Sequence, residues 1–324
     1  MPYDIPQDAR LRAKPQPMIP TGDDAVATAV VHVLEQYSNC LDGPRSAEQE
    51  ARRWRRVREF VRQRQPVQMV ILGFPAKSPN RRKTLSDHVD LGEVEGLRTL
   101  HEICQSISRV HRPGGVVQIC SDGHVFADLV HVTDQNVDCF QTEIESVIVR
   151  FGFSTLRTFS ARAAYPALEG DALRRQLVAD HAKDLAATRA ECLETAEGRS
   201  QWGGIHRFLF EDDLVLFPEL SRNQIRERSK QRAYEVIQRS QSFSSLVQEW
   251  FPHAVRLSIH PHLPASAKLG ICLVPSEDRW ATPWHNALVM TAFGARLMHR
   301  AEAEQRGARL CHRDEQFAFF DLRP

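Results

Sequence analysis

The chain has 324 residues, about twice a common domain length, so one large α/β domain or two smaller ones would fit and a sizeable core is assured. Its 42 Lys and Arg against 41 Asp and Glu leave a formal charge of +1, too weak a field to draw the whole molecule to nucleic acid or anionic lipid. No apolar run approaches the ~18 residues of a membrane span, and Met1 to Pro20 lacks the apolar stretch of a secretory signal, so a soluble cytoplasmic protein is expected.

Residues 1–22 hold five prolines and little periodicity and are expected to form a poorly ordered leader before a single domain over 23–324. Ala25 to Tyr37 reads as a helix capped by Asp23 or Asp24, and Ala47 to Arg64 as a second with Trp54, Val57 and Val61 on one face. The other face carries Arg52, Arg53, Arg55, Arg56, Arg58, Arg62 and Arg64. In isolation that hints at nucleic acid, but acidic residues elsewhere balance it, and a solvated face is expected. Val67 to Gly73 is an apolar run of strand length, followed by the loop Lys77-Ser78-Pro79-Asn80-Arg81-Arg82-Lys83. Asp90 with Glu93 at capping-box spacing opens a helix striped by Val94, Leu97, Leu100, Ile103, Ile107 and Val110. Val116 to Cys120 is a second buried strand ending at Ser121-Asp122-Gly123, and Asn136 to Phe151 another helix.

Strand, loop, helix, strand, loop, helix predicts an α/β fold: a mostly parallel sheet with helices on both faces, plus extra helices. Ligands of such sheets sit beyond the carboxyl ends of the strands. Further on, a long helix is expected over Asp171 to Leu193 and another over Arg222 to Trp250, with a break near Ser240 to Ser245. Strands follow at Ala254 to Ile259 and Lys268 to Val274, then an aromatic loop from Asp278 to His285 and a last strand from Ala287 to Ala292.

Three constellations could carry chemistry. Lys77, Ser78, Arg81, Arg82 and Lys83 crowd the first ligand-edge loop, where cations and a hydroxyl could hold a phosphate dianion, or simply be solvated. Neither GxxxxGK[ST] nor GxGxxG occurs, so a nucleotide cradle is unsupported. Asp122 ends a buried strand with His124 and Asp128 close behind, a placement that suits acid/base work or an ordinary Asp-Gly turn. His260 and His262 flank a proline after Arg256 and Ser258, and spacing signals no third metal ligand. Arg256 or Lys268 could meet a carboxylate. Trp280 and Trp284 are aromatic wall or core, with His285 beside them. The seven scattered cysteines, without CxxC spacing, read as reduced and mostly buried.

GFPAKSPN (73–80), DLGEVEGL (90–97), PGGVVQICSDGHVFADL (113–129), GGIHRFLFEDD (203–213), AYEVIQRSQSFSSLVQEWFPHAVRLSIHPH (233–262), KLGICLV (268–274) and WATPWHNALV (280–289) together resemble the pyoverdine/dityrosine biosynthesis family. The resemblance implies a Rossmann-like fold and an isonitrile synthase. Such an enzyme turns the amine of tyrosine or tryptophan into an isonitrile with C2 of ribulose 5-phosphate, without cofactor or metal. It further implies an Fe(II)/2-oxoglutarate oxygenase as pathway partner. Under that reading Lys77, Ser78, Arg81, Arg82 and Lys83 hold the phosphate, and Arg256, Ser258, His260, Lys268 and Trp284 hold substrate. Asp122, His124, His206 and His285 move protons. Another phosphosugar enzyme on the same fold, or a nucleic-acid module using the arginine helix, ranks below it.

Overall fold

A computed structural model describes residues 21–323; the expected leader lies, up to Pro20, outside them. Five strands form one wholly parallel sheet: β1 (Val67–Leu72), β2 (Gly115–Ser121), β3 (Leu156–Ser160), β4 (Val255–Ser258) and β5 (Leu269–Gly270), in the order β3-β2-β1-β4-β5. The chain steps outward from β1 to β3 and then returns to the other side of β1. The topological switch point therefore lies between the carboxyl ends of β1 and β4, where Leu72 stands beside Ser258.

Alternation along the strands explains the two covered faces. Met69, Ile71, Ile119 and Leu257 point into the main core with residues of α1 (Asp23–Gln36), α2 (Ala47–Arg62), α3 (Leu91–Ser108) and, following the short α4 (Gly123–Phe126), α5 (Asp134–Arg150). Val70, Cys120 and Phe159 point the other way. After a one-turn α6 (Ala161–Ala164), they meet Leu173 and Leu177 of α7 (Gly170–His181); after α8 (Leu185–Glu194) and α9 (Ala196–Leu216), Phe243, Leu246 and Val247 of α10 (Arg222–Trp250) join them. The expected mostly parallel sheet with helices on both faces is what the chain forms.

A second sheet, β7-β6-β9-β8, is built from β6 (Ala287–Thr291), β7 (Gly294–Met298), β8 (Arg309–Arg313) and β9 (Phe317–Asp321), with α11 (Arg300–Gln305) between β7 and β8. Leu288, Met290, Leu297 and Phe317 share the main core with α3. The expected last strand is thus followed by three more.

Local chemistry sets the helix ends. The Asp90 capping box forms as read: Asp90 Oδ1 accepts from Gly92 N at 2.8 Å and Glu93 Oε2 accepts from Asp90 N at 3.0 Å. Three expectations need correction. The first helix starts at Asp23 itself, with Gly22 as N-cap and no side-chain cap bond. The helix expected over 171–193 is two, because Asp184 accepts from Ala187 N at 2.7 Å and starts α8 afresh. Conversely, α10 runs unbroken through Ser240 to Ser245. Three of the seven arginines on and just after α2 meet carboxylates, Arg58 on Asp24 at 2.5 Å, Arg62 on Glu59 at 2.7 Å and Arg64 on Asp23 at 3.5 Å. Among the described residues, no helix is long and apolar enough to cross a membrane.

Candidate active site

The strand ends open into a cavity of about 1250 Å³, roofed by α9 and α10 and walled by the loops after β1, β2, β4 and the 278–286 segment. Drug-sized ligand pockets run to about 1,000 Å³, so this one has room for two small molecules together. One region is apolar: Phe126, Ala127, Val130, Ile205, Phe208 and Val236 line it and pack in neighbouring clusters. The rest carries Asp122, Lys83, Asp212, Ser258, Lys268 and His285.

Asp122 lies on this wall at the end of β2, and no side chain among the described residues donates to its carboxylate. Burial pushes it up to about 7, against the one backbone hydrogen bond that favours its ionised form. It can both give and take a proton near neutrality. Gly123 beside it is required by close approach rather than by a special backbone angle, since a Cβ there would stand 2.4 Å from Pro75 O.

The other expected acid/base groups divide. His285 lines the cavity, its Nδ1 buried without a partner, and burial holds the ring neutral with a value of about 3. Neutral imidazole is an acceptor or a neutral donor there, never a cation at working pH. His124 and His206 do not line the cavity. His124 Nε2 sits 3.0 Å from Asp138, which Arg162 also holds, so the ring belongs to the contact between α4 and α5. His206 stacks on Trp202 at 5.0 Å; α9 presents Gly204, Phe208 and Asp212 to the cavity, at i, i+4, i+8, and His206 lies off that stripe.

The basic loop does not converge on one anion. Lys77 Nζ is fully buried between Asp90 (2.7 Å) and Glu93 (2.8 Å) and also donates to Pro283 O at 3.2 Å. Arg81 turns to Asp87 at 2.5 Å and Thr84 at 3.1 Å, Arg82 is exposed, and neither lines the cavity. Lys77, Ser78 and Lys83 line the cavity, but the Lys77 ammonium is taken up by Asp90 and Glu93, and Lys83 and Ser78 are tied to Asp212, at 2.8 and 3.1 Å. Asn80 adds a third bond to the same carboxylate at 2.9 Å. Sequence reading missed Asp212, which the i, i+4 spacing from Gly204 and Phe208 could have revealed.

Trp284 is both wall and core: buried, 5.1 Å from Phe74, and close enough to Gly73 that a Cβ there would meet its ring at 3.1 Å. Ser258, His260 and Lys268 line the cavity, and His260 faces Trp280 at 5.4 Å. Arg256 lies behind the wall, with Nη2 donating to the cavity-lining Ser244 Oγ at 2.7 Å. Among the described residues, no three His, Cys, Asp or Glu side chains are grouped to hold a metal ion.

A family model described as "Pyoverdine/dityrosine biosynthesis protein" matches residues 57–311, from within α2 to within β8. The chain belongs to the pyoverdine/dityrosine biosynthesis family. It is 40% identical over 265 residues to an L-tryptophan isonitrile synthase of Fischerella ambigua, covering 82% of this chain and 80% of that one. An L-tyrosine isonitrile synthase of Xenorhabdus nematophila is 38% identical, over 79% and 78% of the two chains. That of Pseudomonas aeruginosa is 33% identical over 94% and 97%. The crystal structure of the PvcA protein from Pseudomonas aeruginosa superposes with a TM-score of 0.85 at 32% identity, covering 92% of this chain and 99% of that one. Of the seven family-like segments, six put residues on the cavity wall; the seventh, 90–97, supplies the carboxylates that hold Lys77. What makes the chain resemble this family is concentrated around one cavity.

Proposed function

We propose that this protein is an isonitrile synthase. It condenses the amine of an aromatic L-amino acid, tyrosine or tryptophan, with ribulose 5-phosphate and leaves C2 of the sugar as the isonitrile carbon. The observation that carries the reading is the similarity, across most of both chains, to synthases named for L-tryptophan and L-tyrosine. The cavity supports it, with room for two substrates, an apolar region suited to an aromatic ring and polar walls suited to a sugar phosphate.

In this reading the amine adds to the C2 ketone and water leaves to give an imine. Proton transfers around that imine then precede loss of phosphate and cleavage of the carbon–carbon bonds to C2. Asp122 is the acid/base group, because a carboxyl near 7 exchanges protons in both directions. Neutral His285 accepts or donates a hydrogen bond at the same wall, and Lys83 is held in place by Asp212. No step is assigned to a cofactor. An Fe(II)/2-oxoglutarate oxygenase acting on the product is the pathway partner this reading carries with it.

The test is incubation with ribulose 5-phosphate and L-tyrosine or L-tryptophan, followed by mass spectrometry. A product equal to the amino acid plus one carbon less two hydrogens is expected with at least one of them. Consumption of neither amino acid under conditions where a family relative works would refute the proposal.

A further inference from the structure

The charges around the cavity are unevenly balanced. Lys77 is held by Asp90 and Glu93, Lys83 by Asp212 and Glu211, and Arg81 by Asp87, so the loop over 77–83 offers little uncompensated positive charge. Arg256 is different. It is 6% exposed, and among the described residues no carboxylate pairs with it. Nη1 reaches Ser244 O at 3.3 Å and Gln248 Oε1 at 3.5 Å, and Nε has no partner. Burial works against its charge, and nearby Arg56 adds to the strain. A guanidinium does not shed its proton, so a buried one without a counter-charge favours any anion that can complete it.

Ser244 is where that charge meets the cavity. Its Oγ accepts from Arg256, which leaves its own O–H to donate into the space it lines, strengthened by the charge behind it. Ser240, one turn earlier on α10, and Gln241 line the same wall. Ser258 Oγ accepts from His260 N at 3.2 Å, so its O–H is also left to donate, and it sits at the β1–β4 switch point. The run from Ser240 to Ser245 weakens the helix that carries it, since serine is an indifferent helix former. Only Ser242 and Ser245 turn their hydroxyls back onto the helix, at Gln238 O and Gln241 O.

We propose that the phosphoryl group of the sugar phosphate binds at the β1–β4 switch point rather than on the 77–83 loop. The hydroxyls of Ser240, Ser244 and Ser258 and the amide of Gln241 hold it there, with Arg256 behind Ser244 as positioning residue and buried counter-charge. The assignment rests on the pentulose-phosphate reading above.

Calorimetric titration of the full chain with ribulose 5-phosphate, inorganic phosphate, L-tyrosine and L-tryptophan tests it. Ser244→Ala, which removes one hydroxyl from an intact helix, is expected to weaken both phosphate ligands by about ten-fold or more and leave amino-acid affinity within about two-fold. Arg81→Ala should leave phosphate affinity unchanged. Arg256→Lys keeps the charge but loses the fork, so KM for the sugar phosphate should rise while kcat holds. Unchanged phosphate affinity in both Ser244→Ala and Ser258→Ala overturns the site. So does a loss confined to the amino acid, which would make the bound anion its carboxylate. Phosphate binding that depends on Ser244 in a protein that makes no isonitrile would sustain the site and refute the functional reading instead.

Discussion

Asp122 is the residue on which chemistry and stability make separable predictions. Its carboxyl is raised to about 7 by burial, above the ordinary 3.8. The folded protein therefore holds this proton more tightly than the unfolded chain does, and stability is expected to fall as pH rises from about 4 to 7 and then level off. Asp122→Asn removes that penalty, so it should melt at or above the parent temperature at pH 8, with the gap closing toward pH 4. Its turnover should fall by about 10²–10⁴-fold, and the limb near pH 7 in the kcat/KM profile should disappear. A variant that keeps both rate and limb would make Asp122 a turn residue. This position was legible because a lone Asp after a buried apolar strand is a local signal. The role of Lys77 was not, because sequence displays charges without their partners, and Asp90 and Glu93 lie 13 and 16 residues further on.

At the scale of elements, those three residues fasten the loop after β1 to the start of α3 and to the turn at Pro283. Burial raises Glu93 well above the usual carboxylate range, with Lys77 pulling the other way, so one ammonium faces two acids of which one is biased toward its neutral form. Glu93→Gln should then cost under about 1 kcal/mol at pH 7, since an amide mimics the neutral form that burial already favours. Lys77→Met strands Asp90 beside it and should cost about 3–5 kcal/mol by urea unfolding. Equal costs for the two would contradict this account of the triad. Legibility followed the same logic of local signals. β1, β2 and α3 announce themselves through apolar runs and a capping box. α9 hides behind Gly198, Gly203 and Gly204, which lower helix propensity and are tolerated because α9 packs on α10. β5 keeps only two residues of the seven expected, and a Cβ at Gly270 would stand 2.3 Å from Asn39 O, so Gly270→Ala should be destabilising in the same unfolding assay.

For the whole molecule, a formal charge of +1 says nothing about where charge matters. The fold pairs Lys77, Arg81 and Lys83 of the most basic ligand-edge loop with acids and leaves a buried arginine uncompensated behind a row of serines. It also joins an apolar region to a polar one in a single cavity at the carboxyl ends of a parallel sheet, as the proposed condensation of an aromatic amino acid with a sugar phosphate would require. The most direct test of that claim follows one atom. With ribulose 5-phosphate carrying carbon-13 at C2 only, the account predicts that the isonitrile carbon of the product carries the label in full, read by mass and by carbon NMR. An unlabelled isonitrile, or one labelled only from another carbon of the sugar, would contradict it.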